Sequence, residues 1–114
     1  MERKWGRIIG ATSIATSLHE QGVSCYSASK AGLESLVKGI AIEYGRFGIT
    51  ANSLSLSHFN AGLINSVKKE VVDSKVKTTA RRRSVNENDI LSAVDFLCKN
   101  DFITGETLRL HGGL

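Results

Sequence analysis

Apolar positions along the chain change period several times, and each change marks an element. Arg7-Ile8-Ile9-Gly10-Ala11-Thr12 is a short apolar run passing into polar residues, the pattern of a strand buried on both faces that leads into a loop. From about residue 24 to 46 the pattern becomes helical: Leu33, Leu36, Val37, Ile40, Ala41 and Tyr44 fall on one stripe. Glu34 and Lys38 stand four apart on the opposite face, and Gly45 and Gly48 stop the helix. Residues 49–56 are small or β-branched and read as a second strand. Strand, long helix and strand make a βαβ unit, whose crossover is right-handed in nearly every known case and pairs its strands in parallel.

Further along, Asn60 caps a predicted helix carrying Leu63, Ile64, Val67 and Val71, and a basic loop follows. Asn86 caps the next, with a stripe of Ile90, Ala93, Val94 and Leu97. Thr104-Gly105 turns the chain into a last short strand over 107–110, and Gly112-Gly113 ends it. About three strands and three helices in this order predict an α/β fold: half of a doubly wound, Rossmann-like parallel sheet with both faces covered. So short a sheet leaves edge groups unpaired, and something outside the chain is expected to cover an edge.

Composition narrows this little but usefully. With 114 residues, 41% of them hydrophobic, the chain suits one domain and not two. Its apolar runs are too short for a membrane span or a secretory signal, so a cytoplasmic location without a membrane partner is the expectation. Cys25 and Cys98 are too few for a zinc cluster or a disulfide framework; both read as small core residues, and no metal is expected. His19-Glu20 opens a zinc-protease pattern, but Val23 stands where its second histidine belongs. The net charge of +4 is concentrated in Lys68, Lys69, Lys75, Lys77 and Arg81-Arg82-Arg83. No aromatic residues interleave with those charges, which favours a solvated face over a nucleic-acid surface.

Tyr26 and Lys30 carry the candidate chemistry. Four residues apart at the start of the long helix, they emerge on one face, one turn apart. Ser13 lies after the preceding strand, at the end of the sheet where such folds place their ligand crevice. An ammonium within a few ångströms favours the phenolate of a phenol, which makes a tunable proton donor. A hydroxyl beside it can hold the same carbonyl oxygen while hydride arrives at carbon. Ala28, Ala31 and Gly32 are small enough to let the helix approach a sheet or ligand.

With these residues in order, the sequence resembles the short-chain dehydrogenase/reductase family from about Gly6 to Gly113. Gly6-Arg7-Ile8-Ile9 with Ser13 resembles that family's strand and serine; Tyr26 and Lys30 resemble its signature; Asn52-Ser53, Thr104-Gly105 and His111-Gly112-Gly113 follow in sequence. The nearest flavour is that of the 3-oxoacyl carrier-protein reductases. The resemblance implies Tyr26 as proton donor, Ser13 orienting the carbonyl, and Lys30 binding the nicotinamide ribose while favouring the phenolate. It places Tyr26, Lys30, Ser57, Phe59 and Ala61 against NADP or NAD, without choosing between them. It implies a small-molecule or carrier-protein-linked carbonyl substrate.

Two departures qualify the resemblance. Leu56-Ser57-His58-Phe59-Asn60-Ala61 stands where the family usually has Pro-Gly and later a nicotinamide-holding Thr, and the chain contains no proline at all. The glycine-rich cofactor half is also missing, so residues 1–114 read as a single incomplete domain. Two functions follow: a reductase part that needs a second reductase-like chain to bind cofactor, or a non-catalytic oligomerisation or binding subunit, with a homo-oligomer as the other possible assembly.

Overall fold

The computed structural model describes residues 4–16, 21–57 and 76–113. Its axis is the strand Ile49–Leu56, here β2, in which every side chain from Thr50 to Ser55 is buried. Most of these side chains are small, and Leu54 and Asn52 are buried among them, as in a strand covered on both faces. β1 (Gly6–Ser13) pairs in parallel along one side, from Gly6 opposite Ile49 to Ser13 opposite Leu56. β3 (Thr107–Leu110) pairs in parallel along the other, from Thr107 opposite Ser53 to Leu110 opposite Leu56. The order β1-β2-β3 therefore brings Ser13, Leu56 and Leu110 into one row at the carboxyl edge.

α1 (Ser24–Tyr44) covers one face, with Val37 and Ala41 packed on Ala51 and flanked by Leu33 and Ile40. Gly10 allows this closeness, since a Cβ there would lie 2.9 Å from Val37 Cγ2 and 3.5 Å from Leu33 Cγ. After a single 3-10 turn, Gly48 reverses the chain at φ 75°. Any Cβ on Gly48 would run into the Lys4 carbonyl.

α2 (Glu87–Lys99) covers the other face with Ala93 and Leu97. It opens on a capping box: the Asn86 side chain accepts from the Asp89 amide and the Asp89 carboxylate accepts from the Asn86 amide, both at 2.9 Å. Arg7 leaves β1 on this face and donates through Nε to the Cys98 carbonyl at 2.9 Å. Asn52 leaves β2 on the same face and clamps the loop into β3, donating to the Ile103 carbonyl at 3.0 Å and accepting from the Glu106 amide at 3.1 Å. α1 and α2 thus lie on opposite faces although β1 to β2 to β3 steps one way across the sheet.

Several expectations need correction. β1 is not buried on both faces: Ile8 is 39% exposed and Ala11 is exposed, because no described strand lies beyond it. Leu36 and Tyr44 of the predicted stripe are exposed, so the buried face of α1 is narrower than the pattern suggested. Ala28, Ala31 and Gly32 are exposed rather than packed on the sheet. Cys25 is exposed and Cys98 half-buried, so neither is a core residue. The predicted helix capped by Asn60, the residues Phe59 and Ala61, and Lys68, Lys69 and Lys75 lie outside the described residues. No helix among the described residues is long and apolar enough to cross a membrane.

Two outcomes are expected. Gly10→Val should cost about 1–3 kcal/mol in denaturant unfolding, as overpacking does against a stiff, β-branched neighbour. Asp89, bonded to Arg83 and to the Asn86 amide, has its carboxyl lowered to about 2. A carboxyl depressed in the folded state stabilises above its unfolded value and loses that effect as pH falls through its folded value. Stability measured by thermal melting should therefore decline between pH about 4 and about 2, and Asp89→Asn should remove that part of the decline.

Candidate active site

Tyr26 lies in the first turn of α1 and Lys30 in the next. Their i,i+4 spacing sets the Lys30 ammonium 5.8 Å from the centre of the Tyr26 ring. Lys30 Nζ also donates to the Ala11 carbonyl of β1 at 3.2 Å, which pins helix to strand at the site. An ammonium has three donors, so two remain for a ligand. Tyr26 itself is 37% exposed, open enough for a substrate to reach.

Ser13 closes β1. Its Oγ accepts from the Ala15 amide at 3.2 Å, an arrangement that leaves the hydroxyl proton free to be given elsewhere. Thr12 and Thr16, on either side of it in the chain, both donate to one carboxylate oxygen of Glu34, at 2.8 Å and 3.1 Å. Glu34 thus ties the end of β1 and the turn after it to α1, one helical turn beyond Lys30. The sequence reading put Glu34 on the solvent face with Lys38. The signal that would have found it is the run 26, 30, 34, which places Glu34 on the same face as Tyr26 and Lys30.

Tyr26, Lys30 and the end of β1 are therefore brought together, while no hydrogen bond joins Ser13 to Tyr26 among the described residues. Ser27, next to Tyr26, and Ser55 in β2 are buried with unpaired hydroxyls. Ser57 sits at the carboxyl end of β2, its amide donating to the Leu110 carbonyl at 3.1 Å. That places it beside β3, away from β1. Among the described residues no cluster of His, Cys, Asp or Glu is suited to a metal ion.

A phenol, an ammonium and a hydroxyl at the carboxyl edge suit protonation of a carbonyl oxygen. The two remaining Lys30 donors and the phenol also suit the vicinal hydroxyls of a sugar. A pyrophosphate is another matter: residues 14–23 separate β1 from α1, and no glycine-rich turn runs from a strand straight into a helix among the described residues. The donor set fits the ribose end of a nicotinamide dinucleotide and not its pyrophosphate.

Known proteins resemble this chain along its whole length. The family model described as enoyl-(acyl carrier protein) reductase matches residues 1–114. A 3-oxoacyl-acyl-carrier-protein reductase of Rickettsia bellii is 32% identical over 116 residues, covering 100% of this chain and 48% of that protein. An acetoacetyl-CoA reductase of Synechocystis is 31% identical, covering 97% of this chain and 48% of that protein. A gluconate 5-dehydrogenase of Burkholderia cenocepacia, solved in complex with NADP and tartrate, superimposes with a TM-score of 0.88 at 30% identity, over 98% of this chain and 46% of that one. The chain spans about half the length of the curated relatives it matches.

The Glu34 anchor is testable. Glu34→Ala should destabilise the chain by about 1.5–3 kcal/mol, the range for hydrogen bonds to a charged group, read as a lower denaturation midpoint. Glu34→Gln, which keeps an acceptor oxygen, should recover part of the loss.

Proposed function

This chain belongs to the short-chain dehydrogenase/reductase family, and on that footing we propose that it is the substrate half of a nicotinamide-dependent carbonyl reductase. The observation that carries the proposal is the Lys30 ammonium held between the Tyr26 ring and the Ala11 carbonyl at the carboxyl edge. Tyr26 gives its phenolic proton to the substrate oxygen as the carbonyl becomes an alcohol. The Ser13 hydroxyl donates to the same oxygen and orients it. Lys30 stabilises the phenolate left behind and offers its free donors to the ribose. A bound nicotinamide dinucleotide would supply the hydride; similar structures were solved with NADP and with NAD. Relatives named for 3-oxoacyl-acyl-carrier-protein and acetoacetyl-CoA support a 3-oxoacyl thioester as the substrate class.

A complementing polypeptide supplies the pyrophosphate cradle and lays a strand along the outer edge of β1, where Ile8 is exposed and no described strand pairs. A second reading, a non-catalytic oligomerisation or binding subunit, is favoured by Leu36 and Ile42, 60% and 78% exposed on α1.

Titrating NADPH and NADH into the chain separates the two. The reductase reading expects micromolar binding only after a dinucleotide-binding half from a homologous reductase is added, followed by turnover of acetoacetyl-CoA. Tyr26→Phe in that mixture should lower turnover by about 10²–10⁴-fold with an unchanged melting midpoint. Complex formation without cofactor binding would favour the subunit reading. Turnover by Tyr26→Phe equal to the unsubstituted chain would remove Tyr26 from the reaction.

A further inference from the structure

To share one carbonyl oxygen, Ser13 and Tyr26 must keep a fixed separation, yet they belong to different elements and no hydrogen bond joins them among the described residues. That separation is set by the polar ties between β1 and α1 around them. Lys30 makes one tie, at the Ala11 carbonyl two residues before Ser13. Glu34 makes another, and it grips Ser13 from both sides.

From the residue before Ser13, Thr12 Oγ1 donates to Glu34 Oε1 at 2.8 Å. Thr16, three residues after Ser13, places its Oγ1 3.1 Å from the same carboxylate oxygen and 3.0 Å from the Ser13 carbonyl oxygen. A hydroxyl has a single proton for those two acceptors, so Thr16 couples the Glu34 carboxylate to the Ser13 backbone. Inside the same turn Ser13 Oγ accepts from the Ala15 amide at 3.2 Å. Thr12 and Ile14, the neighbours of Ser13, are both buried, so the grip through Thr12 is shielded from water, where a hydrogen bond to a charged acceptor is strong.

We infer that Glu34 is a positioning residue for carbonyl reduction: acting through Thr12 and Thr16, it holds the Ser13 hydroxyl where Ser13 and Tyr26 can reach one substrate oxygen. The inference rests on the reductase reading above. In it a single helix carries the proton donor at 26, the ammonium at 30 and the grip on the serine at 34, each one turn from the next. Glu34 exchanges no proton with the substrate in this role; it fixes where the Ser13 proton is offered.

Two measurements test this, one of them without turnover. Amide hydrogen exchange followed by NMR on the full chain reads the turn directly. Glu34→Ala and Thr16→Val should each speed exchange at the Ala15 amide at least about tenfold more than at the Ser53 amide of β2, the size expected for a lost hydrogen bond to a charged group. Glu34→Gln and Thr16→Ser, which keep the acceptor and the hydroxyl, should restore most of the protection. In the mixture with a dinucleotide-binding half, Glu34→Ala should lower kcat for acetoacetyl-CoA about tenfold at unchanged KM, as a misplaced group does. Introduced into Ser13→Ala, the same substitution should lower kcat no further, because its target is already gone. Equal acceleration at Ala15 and Ser53, or an equal loss of kcat in both backgrounds, would reduce Glu34 to a stabilising contact and overturn the inference while leaving the reductase reading intact. Absence of turnover by the unsubstituted mixture would overturn that reading, and the role of Glu34 in reduction with it.

Discussion

How closely α1 lies on β1 decides whether this chain has a site at all. Gly10 leaves out the one side chain that would stand between β1 and Val37, and the helix settles onto the strand. At that distance Lys30 reaches the Ala11 carbonyl, and Glu34 reaches the hydroxyls of Thr12 and Thr16. These polar links fix Tyr26, Lys30 and the end of β1 in one frame, in a part of the helix where the packed apolar cluster of Val37, Ala41 and Ala51 does not extend. A bulkier residue at position 10 would push the helix away and loosen every one of them.

The same sheet has an open edge at β1 among the described residues. β2 is buried from Thr50 to Ser55, yet β1 exposes Ile8, and α1 presents Leu36 and Ile42 to solvent. A parallel sheet is ordinarily shielded on its faces, and an open edge is a template for another strand. The chain spans about half the length of the curated relatives it matches, and the outer edge of β1 is where a further strand could pair.

Much of the fold was legible in the residues. Gly48 precedes the run at 49–56, Gly105 and Gly112 flank the run at 107–110, and the two runs coincide with β2 and β3. Asn86 announced α2, with the acid three positions on completing its cap. The exposure of β1 was hidden, since periodicity cannot show that a neighbouring strand is missing. Opposite faces for α1 and α2 were hidden too, as the face a helix takes is settled by tertiary packing. The shared face of Tyr26 and Lys30 was readable from helical spacing. Glu34 was misplaced because a pair with Lys38 is the simpler use of i,i+4 spacing, whereas Thr12 and Thr16 become its partners only once β1 is folded beneath the helix.

The most direct measurement is a crystal structure of the chain with a complementing dinucleotide-binding half and a bound 3-oxoacyl thioester. The Tyr26 and Ser13 hydroxyls should both lie about 3 Å from the substrate carbonyl oxygen, with the Lys30 ammonium still on the Ala11 carbonyl. A substrate carbonyl bound elsewhere on the molecule, or Ser13 and Tyr26 turned to different sides of it, would contradict a shared role for these residues in reduction.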